Sequence, residues 1–196
     1  MRLADRLRAA LAVEHAEGTV LLVGEDVEGA PYRAPAAVLV AVTDRAHPGV
    51  ILTQRTTTLR RHAGQIAFPG GRLDPEDDGP VSAALREAEE EIALPRALVE
   101  VIGTGDLYRT ITGYEVTPVI GVVPPDLTLV PHEAEVADVF EVPLGFLLDH
   151  ANQRRVSAEW QGQQRHYYEI TWKERRIWGA TAAMIVNLAR RLQWTA

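Results

Sequence analysis

The sequence contains no cysteine, so disulfide bonds and thiolate metal ligands are excluded. No apolar run approaches the roughly 18 residues that a membrane-spanning helix requires. Basic residues are also in deficit, with 20 lysines and arginines against 27 aspartates and glutamates. The resulting net charge of −7 disfavours general nucleic-acid binding, which requires a basic surface. We therefore expect a cytoplasmic monomer or homodimer with no membrane or nucleic-acid partner.

The remaining composition, 46% apolar and 24% charged, is that of a globular protein, and the length predicts one domain over residues 1–196. Apolar spacing predicts an N-terminal helix over about residues 3–16, ended by Gly18. The other periodic segments predict a hairpin, an acidic helix, four further strands and a closing helix: 36–43 with 50–55, 80–93, 98–107, 114–123, 136–144, 166–172 and 179–193. This order predicts an α/β fold, a mixed β-sheet covered by helices on both faces.

The acidic helix carries an unusual concentration of carboxylates. At about 100° per residue, Glu87, Glu90 and Glu91 fall within an arc of about 100° on one face. Beside this arc lies the predicted buried stripe, formed by Val81, Ala84, Leu85, Ala88 and Ile92. Mutual repulsion and burial would raise the pKa values of the three carboxyls, and a divalent cation would remove that difficulty. Oxygen ligands suit Mg²⁺ or Mn²⁺. A solvated acidic face is the alternative interpretation of the same residues.

The start of this helix and one position on its surface carry further signals. Pro80 suits the first helical turn, and Asp77 or Asp78 is placed to interact with the N-terminal amides as a cap or dipole partner. Arg86 lies four residues before Glu90 and can reach it on the helix surface.

The segment Phe-Pro-Gly-Gly, an acidic loop and then Arg-Glu-Ala-Glu-Glu-Glu-Ile-Ala-Leu, over about residues 70–94, resembles the Nudix box of the Nudix hydrolases. The resemblance implies an α/β/α sandwich that hydrolyses nucleoside diphosphate derivatives with Mg²⁺ or Mn²⁺. It implies that Glu87, Glu90 and Glu91 hold the metal. Ala93 stands where the motif has glycine, so we expect the helix exit to differ. The acidic loop is about one residue longer than in the motif.

A second stretch, residues 52–71, resembles the signature that precedes the Nudix box in coenzyme A pyrophosphatases. The matching positions are Leu52, Thr53, Arg55, Arg60, Gly64, Phe68, Pro69, Gly70 and Gly71. Ile51 and Thr56 depart mildly from that pattern. The resemblance implies hydrolysis of coenzyme A, or of its derivatives, to 3′,5′-ADP and 4′-phosphopantetheine or its acyl form.

These resemblances, with the chemistry of the side chains, suggest roles for individual residues. Arg86 would position a carboxylate through a forked contact, and either Glu90 or Glu135 would act as general base. The flexible backbone at Gly70 and Gly71 would permit close approach to metal or phosphate. The basic residues before the box would contact substrate phosphates: Arg55, Arg60 and His62.

Other functions are compatible with parts of this pattern. The substrate could instead be NADH, ADP-ribose or a nucleoside triphosphate. A Nudix-shaped nucleotide-binding module without catalysis is a further alternative, although three crowded carboxylates have no physical reason to persist there.

Overall fold

The computed structural model describes residues 1–13, 22, 33–59, 62–160 and 163–192. The α-helices of the described part are α1 (Leu3–Ala12), α2 (Pro80–Ile92), α3 (Leu144–Leu148) and α4 (Ala180–Leu192). Its strands are β1 (Ala34–Thr43), β2 (Gly49–Arg55), β3 (Ile66–Ala67), β4 (Gly70–Arg72), β5 (Glu100–Thr104), β6 (Tyr108–Arg109), β7 (Tyr114–Val123), β8 (Val136–Pro143), β9 (Arg154–Trp160), β10 (Gln163–Trp172) and β11 (Arg175–Trp178). Short 3₁₀ turns cover Arg96–Leu98 and His150–Asn152. No helix among these described residues is long and apolar enough to cross a membrane.

The central sheet is mixed, as the sequence predicts. Strand β1 runs parallel to β7 along its full length and antiparallel to β2, which in turn pairs with β8. Most residues of β1 and β7 are apolar and buried, as expected for strands covered on both faces.

Helices cover both faces of this sheet, which confirms the predicted α/β/α sandwich. Along β1, Ala37 and Leu39 pack on the side of α2, whereas Ala36 and Val40 pack on the side of α1, α3 and α4. The alternation follows from the period of two along a strand. Small buried residues of α2, among them Ala88, let this helix lie close against the sheet.

The sheet divides at one end, and this division positions Gly70 and Gly71 of β4. Strands β1 and β2 are paired at Val42 and Val50. Farther along, β3 pairs with β2 and β4 pairs with β1, where Gly71 lies opposite Ala37. Both glycines therefore sit in the middle of the sheet, and Gly71, like Ala37, is on the side that faces α2.

A second sheet, formed by β9, β10 and β11, was only partly predicted. The late strand was expected, but β9 and β11 were not. Both begin with two arginines, and β9 carries mostly polar residues, so neither shows the apolar character that guided the prediction. The inner face of this sheet packs on the core through Ile170 and Ile177.

Three helix-end predictions need correction. Helix α1 ends at Ala12, because Val13 adopts an extended conformation; Gly18 lies outside the described residues. Gly79 is the N-cap of α2, and neither Asp77 nor Asp78 caps this end with its side chain; Asp77 pairs with Arg86 instead. The exit of α2 is not altered by the missing glycine: Ala93 adopts the left-handed conformation itself, with φ 53° and ψ 34°.

Candidate metal and active site

Helix α2 presents two of its glutamates to the glycines of β4. A Cβ atom at Gly71 would lie 2.5 Å from the carboxyl carbon of Glu87 and would overlap its carboxylate. A Cβ at Gly70 would lie 2.6 Å from Cα of Val38 in the neighbouring strand. The backbone N–H of Gly70 donates to Oε2 of Glu91 at 3.1 Å. The absence of side chains at both positions is therefore what lets helix, strand and carboxylates meet.

Glu91 is the most deeply buried carboxylate of this face, with a side chain only 7% exposed. Burial raises its pKa to about 7, and the nearby Glu87 and Glu135 carboxylates also act to raise it. The Gly70 N–H and the guanidinium of Arg55 oppose that rise; Nη1 of Arg55 lies 3.7 Å from Oε1 of Glu91. The negative charge of the buried Glu91 carboxylate is thus only partly neutralised by its neighbours. A bound cation would neutralise the remaining charge.

Arg86 holds together the other carboxylates of the site. Its Nη1 atom lies 3.0 Å from Oε1 of Glu87 and 3.0 Å from Oε2 of Glu90. Its Nη2 donates to the carbonyl oxygen of Arg72 at 2.9 Å and to Oδ2 of Asp77 at 3.0 Å. The predicted contact of Arg86 with Glu90 is present, and the guanidinium stands between two of the three glutamates as their counter-charge.

Asp77, whose side chain is 4% exposed, anchors Arg86 from the loop before α2. The hydrogen bond from Arg86 lowers the pKa of Asp77, and the backbone N–H of Asp74 and the Ser82 hydroxyl strengthen the effect. The sequence interpretation assigned Asp77 to helix capping and missed this role. An acidic residue in a loop only nine positions before an arginine was the available signal.

The three predicted metal-ligating glutamates are not equivalent in the structure. Glu87 and Glu91 face the glycines, and burial raises the pKa of Glu87 as well. The side chain of Glu90 is 59% exposed and turned toward Arg86. No group of three acidic or imidazole side chains within the described ranges is assembled as a metal site.

The loop that carries Glu135 is fixed to the end of α2. The backbone N–H of His132 donates to the carbonyl of Glu91 at 2.8 Å, and that of Thr56 donates to the carbonyl of Glu135 at 2.9 Å. The loop is therefore held between α2 and the end of β2. Glu135 is exposed at this point, close enough for its charge to raise the pKa of Glu91. Sequence reasoning selected Glu135 but carried no signal for these backbone contacts.

The predicted phosphate-binding residues are only partly placed. Arg55 lies against Glu91, and its Nε atom is buried without a hydrogen-bond partner among the described residues. His62 is exposed, has a positive φ of 57°, and places Nδ1 2.8 Å from Oε1 of Gln65. Arg60 lies outside the described residues.

The divided mixed sheet, its flanking helices and the glutamate-bearing helix over two glycines define the Nudix fold. The NUDIX domain family matches residues 33–161, and the chain belongs to this family. It is 46% identical over 158 residues to an uncharacterized Nudix hydrolase, NudL, of Escherichia coli strain K12, covering 80% of this chain and 82% of the relative. NudL of Shigella boydii serotype 4 matches to the same extent.

Among solved structures, the Nudix hydrolase RenU from M. smegmatis superposes with a TM-score of 0.50 at 25% identity. The similarity covers 66% of this chain and 81% of RenU. These relatives support a Nudix hydrolase that acts on a small-molecule substrate, and members of this family generally require divalent metal ions.

Proposed function

We propose that this Nudix hydrolase cleaves the diphosphate bond of coenzyme A, or of its derivatives, to 3′,5′-ADP and 4′-phosphopantetheine or its acyl form. The observation that carries this proposal is the contact of Arg55 with Glu91. Arg55 belongs to the segment that resembles the coenzyme A signature, and Glu91 belongs to the Nudix helix. The segment that resembles the coenzyme A signature therefore contacts the candidate metal-binding face of α2.

The residues of the site fit Mg²⁺ or Mn²⁺. The donors are carboxylate oxygens, which such hard cations prefer. Burial raises the pKa values of Glu91 and of the partly buried Glu87, while the Gly70 N–H, Arg55 and Arg86 act in the opposite direction. We assign Glu87, Glu90 and Glu91 as the residues that would hold the cation, with Glu90 turning from Arg86 to join them. A bound divalent cation would neutralise the diphosphate and lower the pKa of a water molecule.

The chain's own groups would position the substrate and accept the proton. Arg55 has a buried, unpartnered Nε–H on the carboxylate side of the sheet, which suits a phosphate oxygen. Arg86, fixed by Asp77, would keep Glu87 in place. Glu135 is the better placed general base, because its exposed carboxylate has no hydrogen bond to another described residue, whereas Glu90 is held by Arg86.

A steady-state comparison of coenzyme A, dephospho-coenzyme A, NADH and ADP-ribose, with Mg²⁺ or Mn²⁺, tests this proposal. We expect coenzyme A to have the highest kcat/KM. Glu135→Gln should lower kcat by about 10²–10⁴-fold, the usual range for loss of a general base. Glu89→Gln is the matched control, because Glu89 lies on the same helix but pairs with Arg96 outside the site.

A higher kcat/KM for NADH or ADP-ribose would reject the coenzyme A assignment and leave the hydrolase assignment intact. An unchanged kcat in the Glu135→Gln variant would indicate that Glu90 is the general base instead. Nucleotide binding without any turnover would favour the non-catalytic module.

A further inference from the structure

Arg72 follows the two glycines of the candidate site directly, yet its side chain points away from the carboxylates. In the pairing of β4 with β1, Gly71 lies opposite Ala37 and Arg72 lies opposite Ala36. Ala37 packs on the α2 side of the sheet and Ala36 on the other side. Since successive residues of a strand point to opposite faces, Arg72 projects to the face opposite Glu87. Its backbone remains in the site through the hydrogen bond from Arg86 to its carbonyl.

Tyr114 holds the guanidinium of Arg72 in place. Nη2 and Nε of Arg72 donate to the Tyr114 hydroxyl at 2.6 and 3.1 Å, and Cζ lies 5.1 Å from the centre of the ring. In the pairing of β1 with β7, Tyr114 lies opposite Ala34, so its side chain is on the same face of the sheet as that of Arg72. A guanidinium that is already immobilised loses little entropy when it binds an anion.

Among the described residues, Arg72 is exposed and forms no ion pair, whereas Arg86 contacts four carboxylates and Arg55 contacts Glu91. In a chain of net charge −7, Arg72 thus presents a positive charge at the margin of the candidate site, where its own carbonyl accepts a hydrogen bond from Arg86.

We propose that Arg72, oriented by Tyr114, binds the phosphate monoester on the ribose of the nucleotide half of the substrate. This inference rests on the proposed function. The diphosphate belongs at the carboxylate face with the cation, so a guanidinium on the opposite face of β4 serves an anionic group farther along the substrate. Arg72 would then determine specificity for nucleotides that carry this additional phosphate. Its forked donors match a phosphate monoester, which has three acceptor oxygens.

Kinetics of Arg72→Gln with coenzyme A and with dephospho-coenzyme A, which lacks only the ribose phosphate, test this inference. We expect KM for coenzyme A to rise about tenfold to a hundredfold, with kcat little changed, because a charge-assisted contact made in both ground and transition states is lost. KM for dephospho-coenzyme A should stay at its wild-type value. Tyr114→Phe should cause a smaller loss with the same selectivity.

The matched control is Arg155→Gln, which removes an exposed arginine of β9 and changes the net charge equally. It should leave both KM values unchanged. Equal losses for both substrates in Arg72→Gln, or an unchanged ratio between them, would overturn the assignment of Arg72 while wild-type turnover upholds the proposed function. Absence of wild-type turnover with either substrate would overturn both.

Discussion

Replacing Glu91 by glutamine should remove most of the pH dependence of stability that the metal-free protein shows between about pH 5 and 8. Burial raises the pKa of Glu91 to about 7 in the folded state. A carboxyl whose pKa is raised by folding stabilises the fold when protonated, and this stabilisation is lost as pH rises toward the folded-state value. The wild-type protein should therefore be less stable at pH 8 than at pH 5.

The size of this effect follows from the pKa difference. A rise from an ordinary glutamate value to about 7, at about 1.4 kcal/mol per pH unit, corresponds to roughly 3 kcal/mol of unfolding free energy. Glu87 adds to the effect in the same direction. Hydrogen bonds from Arg86 lower the pKa of Asp77, and those from Arg176 and Arg154 lower the pKa of Glu169 in β10. Their stabilisation is therefore lost only in more acidic solution, below about pH 4.

Urea unfolding followed by tryptophan fluorescence, with a chelator present, measures this directly. The stability of Glu91→Gln relative to wild type should increase by roughly 2–3 kcal/mol from pH 5 to pH 8. Mg²⁺ at saturating concentration should restore wild-type stability at pH 8, because it binds the folded state and neutralises the carboxylates. Glu89→Gln, with its exposed side chain, should show neither change. Parallel pH profiles for Glu91→Gln and wild type would refute the reasoning.

Three further changes have definite expected results. Ala93→Gly should raise the unfolding free energy by about 0.5–1 kcal/mol, because a left-handed conformation costs less for glycine; calorimetry measures it. Gly71→Ala should displace Glu87 and lower Mn²⁺ affinity at least tenfold by isothermal titration; wild-type affinity would contradict the close-approach argument. Arg86→Gln should cost about 3 kcal/mol of stability at pH 7, because Asp77 is left buried without its partner, and an equally stable variant in urea would contradict this.

The Nudix helix was largely predictable from sequence because its signals are local. Pro80 at the first turn and the spacing of Ala84, Ala88 and Ile92 predict both the helix and its buried stripe. The hairpin of β1 and β2 was predictable for the same reason, since two apolar runs flank a short polar turn.

The contacts that complete the site depend on pairing between distant parts of the chain. The approach of Gly71 to Glu87 requires that β4 pair with β1 in one particular register, and no local pattern reports that register. Asp77 shows the same limit: its short-range cap and its longer-range ion pair with Arg86 were both possible, and the buried ion pair is the one formed. The left-handed Ala93 shows that helix packing can outweigh a conformational preference of about 1 kcal/mol.

We propose that the glutamate face of α2, with the segment that contains Arg55, forms the site that cleaves the diphosphate of coenzyme A. Mass-spectrometric identification of the products of coenzyme A and Mg²⁺ or Mn²⁺, in water enriched in ¹⁸O, tests it most directly. We predict 3′,5′-ADP and 4′-phosphopantetheine, with one ¹⁸O atom incorporated per cleavage and no product in Glu90→Gln. Intact coenzyme A, or release of inorganic phosphate from the ribose, would show that this site does not cleave the diphosphate.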